Sequence, residues 1–152
     1  MASFSGRGGP WLLAQGPLML LAVAVPPWLG ALASGPQRWA AAALLLAGMA
    51  LGIASRRALG VSFSPFPRPV EGGSHIARGP YRYVRHPMYV AIVLTAAGWA
   101  FLWQSAAGAI LALLLLAFFD LKSRREERWL EAAYPSYADY RRRVKRFIPG
   151  LY

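Results

Sequence analysis

The residues most able to do chemistry lie in the stretch Gly79 to Tyr89, GPYRYVRHPMY, which sets Tyr81, Tyr83, Arg82, Arg85 and His86 directly before a long apolar run. Guanidinium and imidazole groups are donors for carboxylates and phosphates. Pro87 suits the first turn of a helix, where its missing N–H costs nothing. The N–H groups of Met88 and Tyr89 would then open towards an anion at the helix N-terminus. Further on, Glu126 and Glu127 supply paired carboxylates, and Tyr134, Tyr137 and Tyr140 supply phenols ahead of Arg143 and Arg146. Structural roles compete at every position. Arg82 and Arg85 can snorkel to anionic head groups, and His86 can cap a helix. The two glutamates can pair with Lys122, Arg124 or Arg125 on a solvated face, and the tyrosines can form an interfacial belt.

The elements that must position these groups belong to a membrane. Of the 152 residues 57% are hydrophobic and only 15% charged, whereas an ordinary soluble domain is about a quarter charged. With no cysteine there is no disulfide, thiolate metal site or cysteine nucleophile, and two histidines are too few for a zinc site. The net charge of +11 does not mark a nucleic-acid face, because the cations fall in two blocks. One runs from Arg56 to Arg85 between apolar runs, and the other follows the last run, from Lys122 to Arg146. Cations clustered at the ends of apolar runs follow the positive-inside pattern and put both blocks on the cytoplasmic face.

Trp11 to Ala33 carries no charge and is long enough to span a bilayer, with Pro26 and Pro27 expected to kink it or end its regular part near Val25. A rival reading is a signal peptide with Arg7 as its charged end, Leu18 to Val25 as its core and Ala31-Leu32-Ala33 as its cleavage site. Trp39 through Ser55 is a second uncharged run, with Gly48 and Gly52 as a small-residue step for close helix approach. The proline-rich loop from Arg57 to Met88, with Pro65, Pro67, Pro69 and Arg68 inside it, is too long to be an idle connection. Met88 to Leu121 reads as a helical hairpin turning at Trp103-Gln104-Ser105. Helix is expected to continue from Leu121 to Ala133, and Pro135 separates it from a short helix at about Ser136 to Val144. The expected fold is all-α: one membrane domain of about four transmembrane helices, with two amino-terminal spans in 1–58. Residues 59–152 form the cytoplasmic loop, the hairpin and the carboxyl-terminal helical region. An even number of spans puts both termini in the cytoplasm, and only Arg38 falls on the opposite face.

The GPYRYVRHPMY stretch, the hairpin after it, and the tail with Glu126-Glu127, Tyr134, Tyr137, Tyr140 and the ending RVKRFIP resemble the integral membrane isoprenylcysteine carboxyl methyltransferase and phospholipid methyltransferase group, over about residues 59 to 151. The resemblance implies transfer of a methyl group from S-adenosylmethionine, bound on the cytoplasmic side, to a lipophilic acceptor that enters from the bilayer. Carried over residue by residue, it implies Tyr81, Arg85, His86, Pro87, Met88 and Tyr89 as the cofactor wall, with Glu126, Glu127 and Tyr140 facing it; Arg143 and Arg146 are weaker counterparts. Arg85 and Glu127 would be the catalytic pair. No metal is implied, and the partners are membrane lipids and a lipophilic substrate rather than nucleic acid. The acceptor atom stays open among carboxylate, amine and thiolate. Two other classes compete: an NADPH-dependent membrane reductase of the steroid 5-alpha-reductase-like type, and a non-enzymatic module that binds anionic lipid.

Overall fold

The computed structural model describes residues 4, 6, 8–64, 66 and 75–152. Arg7, Pro65, Arg68 and the prolines at 67 and 69 lie outside the described residues. Among the described residues five α-helices follow one another: α1 (Gly9–Leu29), α2 (Pro36–Leu59), α3 (Pro87–Leu102), α4 (Ala106–Ala133) and α5 (Tyr137–Arg143). Short 3-10 turns occupy Gly60–Ser62 and Gly79–Arg82. Helices α1, α2 and α4 are long and apolar enough to cross a membrane, and α3 is a shorter apolar helix of 16 residues. The chain is therefore an integral membrane helical bundle.

Local chemistry sets the helix ends. Pro36 and Pro87 open α2 and α3 at the position proline favours. Ser105 caps α4 by accepting from the Gly108 N–H at 3.1 Å. Gly60, with φ of 53°, closes α2 by donating to the Arg56 carbonyl. The hairpin turns at residues 103–105, as the polar interruption predicts, and α4 then runs unbroken to Ala133 before Pro135.

Of the two outcomes expected at Pro26 and Pro27, the ending near Val25 does not occur: helix α1 continues through both prolines to Leu29. Pro27 cannot donate to the carbonyl of Val23, four residues back. The indole Nε1 of Trp99 on α3 donates to that carbonyl at 2.9 Å, so a neighbouring helix satisfies the group the proline frees. Pro26 is buried beside Gly108 of α4, where an added Cβ would come within 2.8 Å of its ring.

Helix α2 packs mainly on α3, α3 on α4, and α1 on α4 and, to a lesser extent, α3. Gly48 brings α2 against α3 so closely that a Cβ there would lie 2.8 Å from the Thr95 nitrogen and 2.9 Å from the Ala91 carbonyl oxygen. The small-residue step is thus an internal packing contact. Ala22, Leu115, Phe119 and Phe147 form the buried core. Phe147 belongs to the carboxyl-terminal tail, so burying its ring at the end of the bundle fixes the tail there.

Candidate active site at the end of the helical hairpin

The 3-10 turn Gly79–Arg82 leads through a turn at Tyr83 to Val84, which forms a parallel bridge with Lys145. The Arg85 N–H donates to the Lys145 carbonyl at 2.8 Å and the His86 N–H to the Arg146 carbonyl at 3.1 Å. Two segments far apart in sequence are thereby stitched side by side next to the start of α3 and the polar half of α4. No periodicity announces this pairing, because it involves only two or three residues on each side.

Glu127 is the hub of the cluster. It is 1% exposed on α4 and accepts from Arg85 Nε at 2.8 Å, His86 Nε2 at 3.1 Å and Arg146 Nη2 at 3.1 Å; Arg141 lies 3.6 Å away. Arg85 also donates through Nη1 to the carbonyls of Arg141 and Val144, which locks it to the tail. Its observed work is that of a strut. Arg146 makes a second ion pair, to Asp120 at 2.9 Å, and Tyr152 donates to the same carboxylate at 2.8 Å. Burial disfavours the charge on Arg146, but its bonds to Glu127 outweigh that effect and hold its pKa above the ordinary value.

Glu126 is the more accessible carboxylate. Its side chain is 24% exposed, and it accepts from the Tyr89 hydroxyl at 2.6 Å. His86 sits between the two glutamates, with Nδ1 3.9 Å from Glu126. Its ring stacks on Tyr89, and Tyr89 stacks in turn on Phe119. His86 is also the N-cap residue of α3, and its carbonyl accepts the Tyr89 N–H at 3.1 Å. That N–H is therefore spent within the helix rather than open to an anion; Tyr89 contributes its hydroxyl and ring.

On the other side of Arg85, the Tyr140 hydroxyl donates to the Tyr81 carbonyl at 2.5 Å. Burial, with Glu126 adding to it, pushes the Tyr81 phenol well up, and burial does the same to Tyr137 and Tyr140. All three stay neutral, and the Tyr140 hydroxyl acts as a donor. His75, Tyr134, Tyr137 and Tyr140 bring four rings together, each tyrosine centroid between 5.5 and 6.1 Å from the histidine.

Of the residues singled out in the sequence, Tyr81, Arg85, His86, Tyr89, Glu126, Glu127 and Tyr140 thus converge. Pro87 is buried at the start of α3, and Met88 points away from the polar cluster to line an apolar cavity. Arg143 is exposed and donates only weakly to the Asp139 carbonyl, at 3.4 Å. Of the two weaker counterparts, Arg146 joins the cluster and Arg143 does not. Asp120 and Lys122 were passed over as span-end residues. A lone acid and a lone lysine closing an apolar run were the available signal, since an ionisable group at membrane depth is costly unless it is held.

Beneath the cluster lies a cavity of about 570 Å³ bounded by all four long helices, with Met19, Gly52, Met88, Trp99 and Leu115 among its lining. Among the described residues its lining carries two polar side-chain groups, both already bonded: the Thr95 hydroxyl to the Ala91 carbonyl and the Trp99 indole to the Val23 carbonyl. Val23 of α1 and Met49 and Ile53 of α2 line it while remaining half or more exposed. The cavity therefore opens to the lipid side between α1 and α2.

Fold and site together define an integral membrane protein in which a charged, aromatic cluster at one membrane face closes an apolar chamber within the bundle. The chain belongs to the phospholipid methyltransferase family, whose model matches residues 36–137. It is also similar to two curated proteins. It shares 38% identity over 77 residues, half of this chain and 36% of the relative, with the cobalt-zinc-cadmium resistance protein CzcN of Cupriavidus metallidurans. It shares 31% identity over 114 residues, 74% of this chain and 53% of the relative, with the nickel-cobalt-cadmium resistance protein NccN of Alcaligenes xylosoxydans xylosoxydans. The chain spans about half the length, or less, of these relatives.

Proposed function

We propose that the protein transfers a methyl group from S-adenosylmethionine to a lipophilic acceptor at the cytoplasmic face of a bacterial inner membrane. The observation that carries this reading is the position of the Arg85, His86, Glu126 and Glu127 cluster directly over an apolar chamber that opens to lipid. Donor and acceptor of opposite solubility then meet at one boundary.

The residues present suit such a donor. Glu126, more exposed than Glu127, offers a carboxylate to an ammonium or sulfonium charge. The rings of Tyr134, Tyr137 and Tyr140 gather round His75, tilted by 43 to 89° to its plane, and give a purine an aromatic neighbourhood. S-adenosylmethionine, when bound, supplies an electrophilic methyl on a positively charged sulfur. The chain's own contribution is placement: Glu127 fixes Arg85, His86 and Arg146 at once, Tyr89 orients Glu126, and the tail closes over the cluster and excludes water. Alignment of two reactants at near-attack distance in a dry site is the main lever for an in-line displacement.

The two amino-terminal helices in this reading shape the acceptor side, and residues 59–152 carry the donor side. Both termini and both cationic blocks face the cytoplasm, where membrane lipids are the neighbours. Reporter fusions in the loop after Arg57 should report a cytoplasmic location, and an external one would overturn the orientation.

The test of function is calorimetric titration of the detergent-solubilised protein with S-adenosylhomocysteine and, separately, NADPH. Micromolar-class binding of the homocysteine derivative with no NADPH binding is expected. The reverse pattern would replace the methyltransferase reading with the reductase one.

A further inference from the structure

The cations of the protein are unevenly matched by acids. Apart from Glu71, which lies outside the described residues, every acid of the chain is on α4 or α5, where together they pair with Arg85, Arg124, Arg141, Arg142 and Arg146. The closing end of α2 is different. Arg56 and Arg57 in its last turn, and Arg78 just before the 3-10 turn packed on it, are all exposed, and among the described residues none of the three meets a carboxylate. Arg56 donates through Nη1 to the Gly60 carbonyl at 3.1 Å and lies over the Phe63 ring, 4.4 Å from its centroid. Arg78 donates through Nε to the Ala58 carbonyl at 3.4 Å. These two arginines flank one helix end and cover carbonyls that make it the negative pole of the helix dipole. Each uses one of its five N–H donors in doing so. Three positive charges are thus set against about half a negative one.

Below the arginines, Leu46, Met49 and Ile53 follow one another at helical spacing along one side of α2, each half or more exposed. Ile53 precedes Arg56 by three residues and Arg57 by four, so the apolar stripe leads to the charges on the same face. From Leu46 to Arg57 it runs about 16 Å at 1.5 Å per residue, close to half of a bilayer core roughly 30 Å thick. Beyond the arginines Val61 is 94% exposed, which marks this end as lying among lipid rather than in water. Met49 and Ile53 also stand at the mouth of the apolar cavity. We infer that the closing end of α2 is a binding site for one anionic phospholipid: its phosphate takes the remaining N–H groups of Arg56, Arg57 and Arg78, and one of its chains lies along the α2 stripe beside the cavity mouth. Charge selects the head group, and the stripe selects a lipid over a water-soluble phosphate. This lipid is a neighbour of the acceptor and is not consumed, so the site goes beyond the function proposed above and does not depend on it.

Native mass spectrometry of the detergent-solubilised protein, titrated with phosphatidylglycerol or with phosphatidylcholine of the same chains at fixed ionic strength, counts the bound lipid and gives its affinity. One phosphatidylglycerol per chain should bind about tenfold more tightly than phosphatidylcholine, the scale set by one or two basic side chains at an anionic head group. The double variant Arg56→Gln/Arg57→Gln should abolish the preference, and Arg57→Gln alone should lower it. The double variant Arg128→Gln/Arg142→Gln removes the same charge from exposed positions on α4 and α5 and should keep the preference. Equal affinity of the wild type for the two lipids overturns the inference. Equal loss in the two double variants overturns it too, because it means diffuse attraction to positive charge and no site. Excess glycerol 3-phosphate should fail to displace the bound lipid; displacement would make the site one for a soluble phosphate and refute the role of the apolar stripe.

Discussion

Glu127→Gln keeps the shape of the side chain and removes the charge on which the cluster converges. The side chain of Glu127 is 2% exposed, that of Arg85 8% and that of Arg146 12%, so the substitution strands two guanidinium groups that water barely reaches. Removing one partner of a buried ion pair costs about 3 to 5 kcal/mol. The lower end applies here, because Arg146 keeps Asp120 and Arg85 keeps two backbone carbonyls. At about 2 to 4 °C per kcal/mol for a chain of this size, Tm should fall by about 6 to 12 °C. The exposed Arg142 and Asp139 pair is the control, since Asp139→Asn should leave Tm nearly unchanged. Thermal unfolding of both variants in the same detergent, followed by circular dichroism, reads the difference directly. S-adenosylhomocysteine affinity should fall about tenfold or more in Glu127→Gln, as Arg85 and His86 lose the group that orients them. A Tm change in Glu127→Gln no larger than that of Asp139→Asn would refute the view of this carboxylate as the hub.

Gly48→Ala should destabilise the bundle by about 1 to 2 kcal/mol, because overpacking against the backbone of Thr95 and Ala91 exceeds the helix-propensity gain of about 1 kcal/mol. Gly52→Ala, whose Cβ would meet only the Ala91 Cβ at 3.6 Å, should be neutral or slightly stabilising; equal melting curves for the two would refute this packing account. Arg146→Ala should reduce S-adenosylhomocysteine binding at least about tenfold, whereas Arg143→Ala and Arg38→Ala should leave it within error, and a loss in Arg143→Ala would restore that residue to the site.

The helices were legible in the sequence because membrane spans depend on length and apolarity, which composition displays openly. The turn at residues 103–105 and the stop at Pro135 came from local signals of the same kind. The continuation of α1 through Pro26 and Pro27 did not. It depends on the Trp99 indole reaching the Val23 carbonyl, and a bond between residues 76 apart leaves no trace in local pattern. The division of labour between the two glutamates was hidden for a related reason. Adjacent helix positions point about 100° apart, so one of the two must turn inward, but only the tail's approach decides which.

That Arg146 rather than Arg143 enters the cluster shows what kind of information was missing. Both arginines sit in the same basic run, and helical spacing from Tyr137 and Tyr140 puts Val144 next on that face, while Arg143 ends α5. The helix stops there, and Val144 begins the extended step that pairs Lys145 and Arg146 with the segment from Val84 to His86. Alternation along that step turns Lys145 out to solvent and leaves Arg146 facing Glu127 and Asp120. The buried ring of Phe147 then anchors the step against the core. The choice of arginine thus follows from where a seven-residue helix ends, the least legible feature of any chain, and the chemistry of the site depends on that boundary.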